Sequence, residues 1–202
     1  MRGLEAWILR AAAVLLVLAI HEYAHAAVAV RLGDPRPKFD GRLTLNPLVH
    51  LDPIGTLMLL FFGFGWAKPV IVDPTRFKNP RRDMMWVALA GPAANLLLAF
   101  GMARIYPFLV SDLPINWVWA VRGFFQVTIT LNIWLAVFNL LPLPPLDGSK
   151  VLAGLVPSRW AYRLYSLETY GTVILLLLIV SGMVNRVLWP AYRAAAWLIL
   201  GG

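Results

Sequence analysis

His21-Glu22-Tyr23-Ala24-His25 is an HExxH pentad set in a run that is otherwise almost wholly apolar, from Ala11 to Ile20 before it and Ala26 to Val30 after it. On a helix the two histidines share one face, so both imidazoles reach a single zinc ion while the adjacent glutamate holds a water. A charged side chain at the centre of a membrane helix costs about 2.5 to 3.5 kcal/mol on insertion scales, so ionisable groups there point to function. By average residue frequencies an HExxH arises in a chain of this length about once in a few hundred cases, and more rarely inside a membrane span.

A catalytic zinc takes three protein ligands and leaves a fourth position for water, so two histidines are one ligand short. Candidates are few: His50 is the only other histidine, cysteine is absent, and nine acidic residues lie outside the pentad. Asp147 stands out because it follows the break Pro142-Leu143-Pro144-Pro145 on the membrane side expected for the pentad. It reads equally well as the N-cap of the segment starting at Gly148. Glu168, near the headgroups, and His50, a surface or gate residue in a basic connector, stay in reserve. Glu22 cannot share the histidine face as a ligand, but it can take a proton from water and pass it to a leaving nitrogen. Asn139 offers an amide to a substrate backbone or to the Asp147 loop, or simply ends a helix, and Asn95 carries the same ambiguity. Gly91-Pro92 reads as a kink that lets helices pack closely.

The elements that must position these groups are membrane helices. The 202 residues are 60% hydrophobic and 14% charged, with a mean hydropathy of +0.71, and no polar stretch is long enough for a separate soluble domain. Nine tryptophans and six tyrosines suit the bilayer interfaces. The formal charge of +8 resides in connectors between apolar runs, where the positive-inside rule accounts for it without nucleic acid. Arg2 and Arg10 before an apolar run resemble a signal peptide, but the run continues to Val30 and meets Arg31 like a spanning helix.

The expected fold is an all-α polytopic membrane protein, a single domain over 1–202 with a core at 4–156 and C-terminal helices at 159–200. Four full spans are predicted: Leu4–Leu32, stopped by Gly33, Asp34 and Pro35; Met84–Ile105; Ile115–Leu141; and Tyr165–Met183. The period-two alternation of Phe39, Gly41, Leu43 and Leu45 predicts a short membrane-associated β element over 39–47, broken at Asn46-Pro47. Ile54–Trp66 is apolar but would make a helix of roughly 20 Å, short of a core of about 30 Å, and is read as re-entrant. Val187–Leu200 carries Arg193 and is read as interfacial or partial. The connector from Arg31 to Arg82 holds nine Lys and Arg, and the Tyr106–Val121 turn holds none, so the basic connectors are expected in the cytoplasm. His25 then lies roughly 9 Å inside that boundary.

With these residues in place, the chain resembles the site-2 protease family of intramembrane zinc metalloproteases, in its small bacterial branch. The likeness rests on His21-Glu22-Tyr23-Ala24-His25, Gly91-Pro92-Ala93-Ala94-Asn95, and Asn139-Leu140-Leu141-Pro142-Leu143-Pro144-Pro145-Leu146-Asp147-Gly148, with Gly41-Arg42-Leu43-Thr44-Leu45-Asn46-Pro47 and Phe64-Gly65-Trp66-Ala67-Lys68-Pro69 between them. It covers most of residues 15 to 155. The resemblance implies one Zn2+ per chain on His21, His25 and Asp147, with Glu22 as catalytic base and Asn139 near the substrate. It implies substrates that are transmembrane segments of other membrane proteins, paired by β-addition with the stretch around Leu43 and Leu45. It places the chain in a bacterial cell membrane with the active site toward the cytoplasm. No PDZ or CBS module has room, a leading span of some relatives is missing, and self-association is left open. A rival reading is a metal-binding membrane protein without hydrolysis, such as a transporter, which has no need of Glu22 beside the ligands. A soluble zincin fails on hydropathy.

Overall fold

The structure, a computed structural model, describes residues 3–55 and 67–201. Helix α1 spans Leu4–Leu32, ending where expected: Gly33 takes the left-handed φ of 118°, and the Asp34 N–H closes back on the Ala29 carbonyl at 3.0 Å. A one-turn helix, α2 (Arg36–Phe39), follows, then 3-10 turns at Pro47–His50 and Pro74–Arg76. Helix α3 (Pro80–Ser111) and helix α4 (Ile115–Asn139) form the rest of the central bundle. Beyond the proline loop lie α5 (Asp147–Leu155), α6 (Ser158–Ser166), α7 (Glu168–Val180) and α8 (Met183–Leu200).

Three of these helices, α1, α3 and α4, are long and apolar enough to cross a membrane, or four spans if the bent pair α6–α7 counts as one. The chain is a membrane protein of all-α class. Its helices meet through small side chains, with Ala13, Ala19, Ala26, Ala88, Ala99 and Ala136 all buried, which lets backbones approach where hydrocarbon offers no hydrophobic drive for association. Large side chains such as Trp7, Leu97, Phe108, Trp119 and Val180 point outward, as lipid-facing residues do. Helix α3 is the hub, in contact with α1, α4, α5 and α8. One core joins Ala99 and Met102 of α3, Ile129 and Ile133 of α4 and Ile199 of α8, while a second joins Ala29, Phe77 and Val87.

Three expectations need correction. The 39–47 stretch is not a β element. Its backbone donors are used locally, Asp40 N–H to Arg36 O and Arg42 N–H to Pro37 O, both at 2.8 Å, and Gly41 turns the chain with a φ of 68°. Asn46 then caps the 3-10 turn by accepting from the Leu48 N–H at 3.1 Å. Alternation alone makes no strand without a partner edge, and among the described residues the one extended pairing is a bridge between Leu51 and Ala67. The fourth span is not continuous either: α6 and α7 meet at Leu167 with a bend of 66°. Gly171 packs so closely on the proline loop that a Cβ would lie 2.4 Å from the Pro144 carbonyl oxygen, and α7 is steered by that contact. Third, the C-terminal helix begins four residues earlier than expected, at Met183, and it packs on α4 with Tyr192 stacked on Trp134 at 4.5 Å. The expected re-entrant segment Ile54–Trp66 falls largely on residues 56–66, outside the described residues.

Helix α3 starts four residues earlier than expected, with Pro80 at its first position. That extra turn carries Arg81, whose guanidinium donates to the carbonyls of Ala153 at 2.7 Å, Gly154 at 3.2 Å and Val156, and to Ser158 Oγ at 3.1 Å. It caps the C-terminus of α5. Arg81→Ala is expected to lower stability by about 2 kcal/mol, from the loss of charged hydrogen bonds to otherwise unpaired carbonyls. A melting curve of the purified protein in detergent checks this; no shift in midpoint would show that the cap contributes nothing.

Candidate metal centre

On α1 the four-residue spacing puts the two imidazoles together, with Nε2 atoms 3.0 Å apart and rings at 86° to each other. Both are buried, His21 to 4% and His25 to 8% exposure. Asp147, the first residue of α5, brings Oδ2 to 3.2 Å from His21 Nε2 and 3.1 Å from His25 Nε2. The N-cap alternative for Asp147 does not hold, because the carboxylate makes no capping hydrogen bond and turns to the imidazoles instead. The proline loop delivers it there, and Gly148 lets α5 close on the end of α4: a Cβ would lie 2.3 Å from the carbonyl oxygens of Leu140 and Leu141.

The three donor atoms form a nearly equilateral triangle with edges of 3.0, 3.1 and 3.2 Å. Bonds of about 2.0 to 2.1 Å to one tetrahedral zinc require edges of about 3.3 Å, so the triangle fits the ion. Asp147 Oδ2 is buried with no conventional hydrogen-bond partner, as a ligand atom facing a cation position would be. Burial by itself would raise the Asp147 carboxyl, but His25 and His21 more than offset it and hold the group below the usual carboxylate range. Ligation uses the ionised form of a carboxylate.

Glu22 lies outside this triangle. Its Oε2 accepts the Val70 N–H at 3.1 Å, so the base candidate is held by the extended segment that follows Ala67. That segment is tied down again at Asp34, which is fully buried and accepts from the Asp73 N–H at 2.6 Å and from Arg36 Nε and Nη2, both at 3.2 Å. His21, Glu22, His25, Val70, Asn139 and Asp147 line a common cavity of about 150 Å³, with Lys150 one helical turn beyond Asp147.

Of the remaining sequence candidates, Asn139 reaches the cavity wall and spends its Nδ2 on the Leu135 carbonyl at 3.0 Å. His50 is buried elsewhere, its Nε2 2.9 Å from Thr44 O, and Glu168 is exposed at the start of α7, so neither joins the group. Asn95, undecided from sequence, meets His21 Nδ1 at 2.6 Å. The Val87 carbonyl, 2.7 Å from His25 Nδ1, was invisible in the sequence because a backbone acceptor carries no residue signature.

Comparison with known proteins agrees with this geometry. The family model for peptidase family M50 matches residues 107–181, a stretch that contains Asn139 and Asp147. Over 193 residues the chain is 42% identical to a Bacillus subtilis protein named "Putative zinc metalloprotease YwhC", an alignment covering 90% of this chain and 84% of that one.

The chain belongs to peptidase family M50.

It is also 33% identical to "Putative zinc metalloprotease Rip2" of Mycolicibacterium smegmatis, over 85% of this chain and 66% of that protein. A "Putative zinc metalloprotease Rip2" of Mycobacterium tuberculosis strain H37Rv stands at the same identity and coverage. No solved structure matches it. As an M50 peptidase the protein is a zinc metalloprotease with Zn2+ as its cofactor, and it carries the His21, His25 and Asp147 group able to bind that ion.

Gly91 of this M50 chain has a role sharper than a helix kink. A Cβ there would lie 2.4 Å from His25 Nε2 and 2.7 Å from His21 Cε1, so α3 can pass over the imidazoles only without a side chain. Gly91→Ala is expected to push the two rings apart and cost at least tenfold in zinc affinity, as disturbed ligand orientation does. Gly101→Ala, on the same helix with nothing within 4 Å of its added Cβ, is the control. Equal zinc affinity in both variants by chelator competition would remove Gly91 from the site.

Proposed function

We propose that the protein is an intramembrane zinc endopeptidase, one membrane-embedded domain that hydrolyses a peptide bond within or beside a transmembrane segment of another membrane protein. The observation that carries this reading is the closed triangle of His21, His25 and Asp147 donors on apolar helices, with the Glu22 carboxylate in the same cavity. A bound zinc ion supplies Lewis acidity there, polarising a carbonyl oxygen and lowering the pKa of water to about 7. Glu22 takes the proton from the attacking water and returns it to the amide nitrogen as the C–N bond breaks. Asn139 holds the substrate backbone at the cavity wall. Glu22 also argues against a metal transporter, which needs no base beside its ligands.

A cavity of about 150 Å³ is narrow beside a helix with side chains, which is about 10 to 12 Å across. On this reading the substrate is unwound where it is cut. Residues 67–72, which line the cavity at Pro69, Val70 and Val72, would take the β-addition role that the resemblance implied for the stretch around Leu43 and Leu45. The basic connectors favour a cytoplasmic site in a bacterial cell membrane.

Glu22→Gln is expected to retain one zinc per chain and to lose proteolysis by about 10²- to 10⁴-fold, the usual contribution of a general base. Asp147→Ala is expected to release the metal. Metal analysis of both purified variants, alongside cleavage of a single-span substrate in liposomes, checks the assignment. Zinc loss from Glu22→Gln, or full zinc retention by Asp147→Ala, would reverse the roles.

A further inference from the structure

The two metal-facing histidines are held by partners of different chemical kind. His25 Nδ1 faces the Val87 carbonyl, which can only accept, so His25 carries its proton on Nδ1 and turns the Nε2 lone pair to the donor triangle. His21 Nδ1 faces the side chain of Asn95 at 2.6 Å, and an amide presents either an oxygen or an NH2 group depending on how it is turned. Asn95 alone therefore cannot fix the His21 tautomer.

The deciding groups lie farther out. Asn95 Nδ2 donates to the Val17 carbonyl at 3.2 Å and to Asn132 Oδ1 at 2.7 Å, so its Oδ1 is left for His21. Asn132 is oriented in turn by giving its own Nδ2–H to the Thr128 carbonyl, an acceptor that cannot reverse, at 2.8 Å. Asn95, Asn132 and Thr128 are each at 0% exposure, so no water competes for these bonds. The order of donors runs one way, from His21 on α1 through α3, and α4 in turn fixes the amide that receives it.

We propose that Asn95 and Asn132 are positioning residues of the zinc site, a relay that holds His21 in the Nδ1–H tautomer and so aims its Nε2 lone pair at the same point as His25 Nε2 and Asp147 Oδ2. The relay rests on the metal reading above but adds two residues to it, and Asn132 is neither one of the donor group nor a residue lining the cavity. Without the Asn132 acceptor, Asn95 loses its closer anchor and its NH2 can face His21 Nδ1. That orientation puts the imidazole proton on Nε2, in the metal's place.

Asn95→Leu and Asn132→Leu remove the relay, Asn132→Asp keeps an acceptor for Asn95, and Thr128→Val keeps the carbonyl that ends it. Zinc affinity of the purified full chain, measured by chelator competition, is expected to fall about 10- to 100-fold in Asn95→Leu and about tenfold in Asn132→Leu. It should stay close to the parent in Asn132→Asp and Thr128→Val. The second readout uses metal-free protein in alkaline buffer: nitrogen-15 NMR of its three histidines reports the tautomer of each. His21 is expected as Nδ1–H in the parent and as a mixture in Asn132→Leu. An Nε2–H His21 in the parent, or leucine variants that lose zinc and melting temperature together with an unchanged tautomer, would overturn the relay. A parent that binds no zinc would sink the metal reading instead, while the tautomer measurement still decides the relay.

Discussion

Three electron-pair donors held 3.0 to 3.2 Å apart repel one another unless a cation or a shared proton lies among them, and the fold is organised around keeping them there. Each donor is fixed from behind by something rigid. The imidazoles share one face of an unbroken helix, and α3 presses on that face at Gly91, where an added Cβ would clash with both rings. Asp147 sits at the start of α5, where the helix dipole favours a carboxylate, and α5 is held at one end by Gly148 on α4 and at the other by Arg81 of α3. Each of these supports acts on one corner of the triangle.

The polar supports are few because hydrocarbon cannot solvate spare ones. Inside the bundle, Asn95 and Asn132 use their hydrogen-bonding groups on each other, on His21 and on backbone carbonyls. Toward the loops, where charge is cheaper to hold, the buried Asp34 carboxylate gathers the part-exposed Arg36 and Arg76 and the Asp73 N–H around it. That cluster anchors the extended segment reaching back across Glu22. Among the described residues the cavity is thus walled in part by Pro69, Val70 and Val72 of this strap, which puts polar backbone beside the donor triangle.

How much of this the sequence discloses follows from how local each signal is. The ends of α1 are legible because Gly33-Asp34-Pro35 stops a helix without outside help. The pentad and Asp147 are legible because their residue types have few other uses in an apolar chain. The segment at 39–47 misleads because alternation states a preference that only a neighbouring strand can satisfy, and Pro37, Gly41 and Asn46 each satisfy the backbone locally first. The start of α3 misleads because Arg81, Arg82 and Asp83 look like a solvated connector, while Arg81 is in fact committed to α5. The bend at Leu167 depends on Gly171 meeting Pro144, residues 27 apart in the chain, and no local pattern announces it. Asn132 carried a signal that went unread: an amide in the middle of a spanning helix demands a partner.

The two carboxylates of the cavity show how neighbours, not residue type, divide the labour. Asp147 meets only imidazoles, and its buried Oδ2 has no hydrogen-bond donor to weaken it as a ligand. Glu22 meets a backbone N–H, which occupies Oε2 and fixes the side chain, while among the described residues Oε1 has no partner. One oxygen is thereby structural, and on the proposed reading the other is the one that would carry the proton. The donor of that fixing bond, Val70, belongs to the extended strap, so an unwound substrate lying along residues 67–72 would approach from the side that already orients the base. On the proposed reading, substrate and base would be positioned by the same short piece of backbone, the one that donates the Val70 N–H to Glu22.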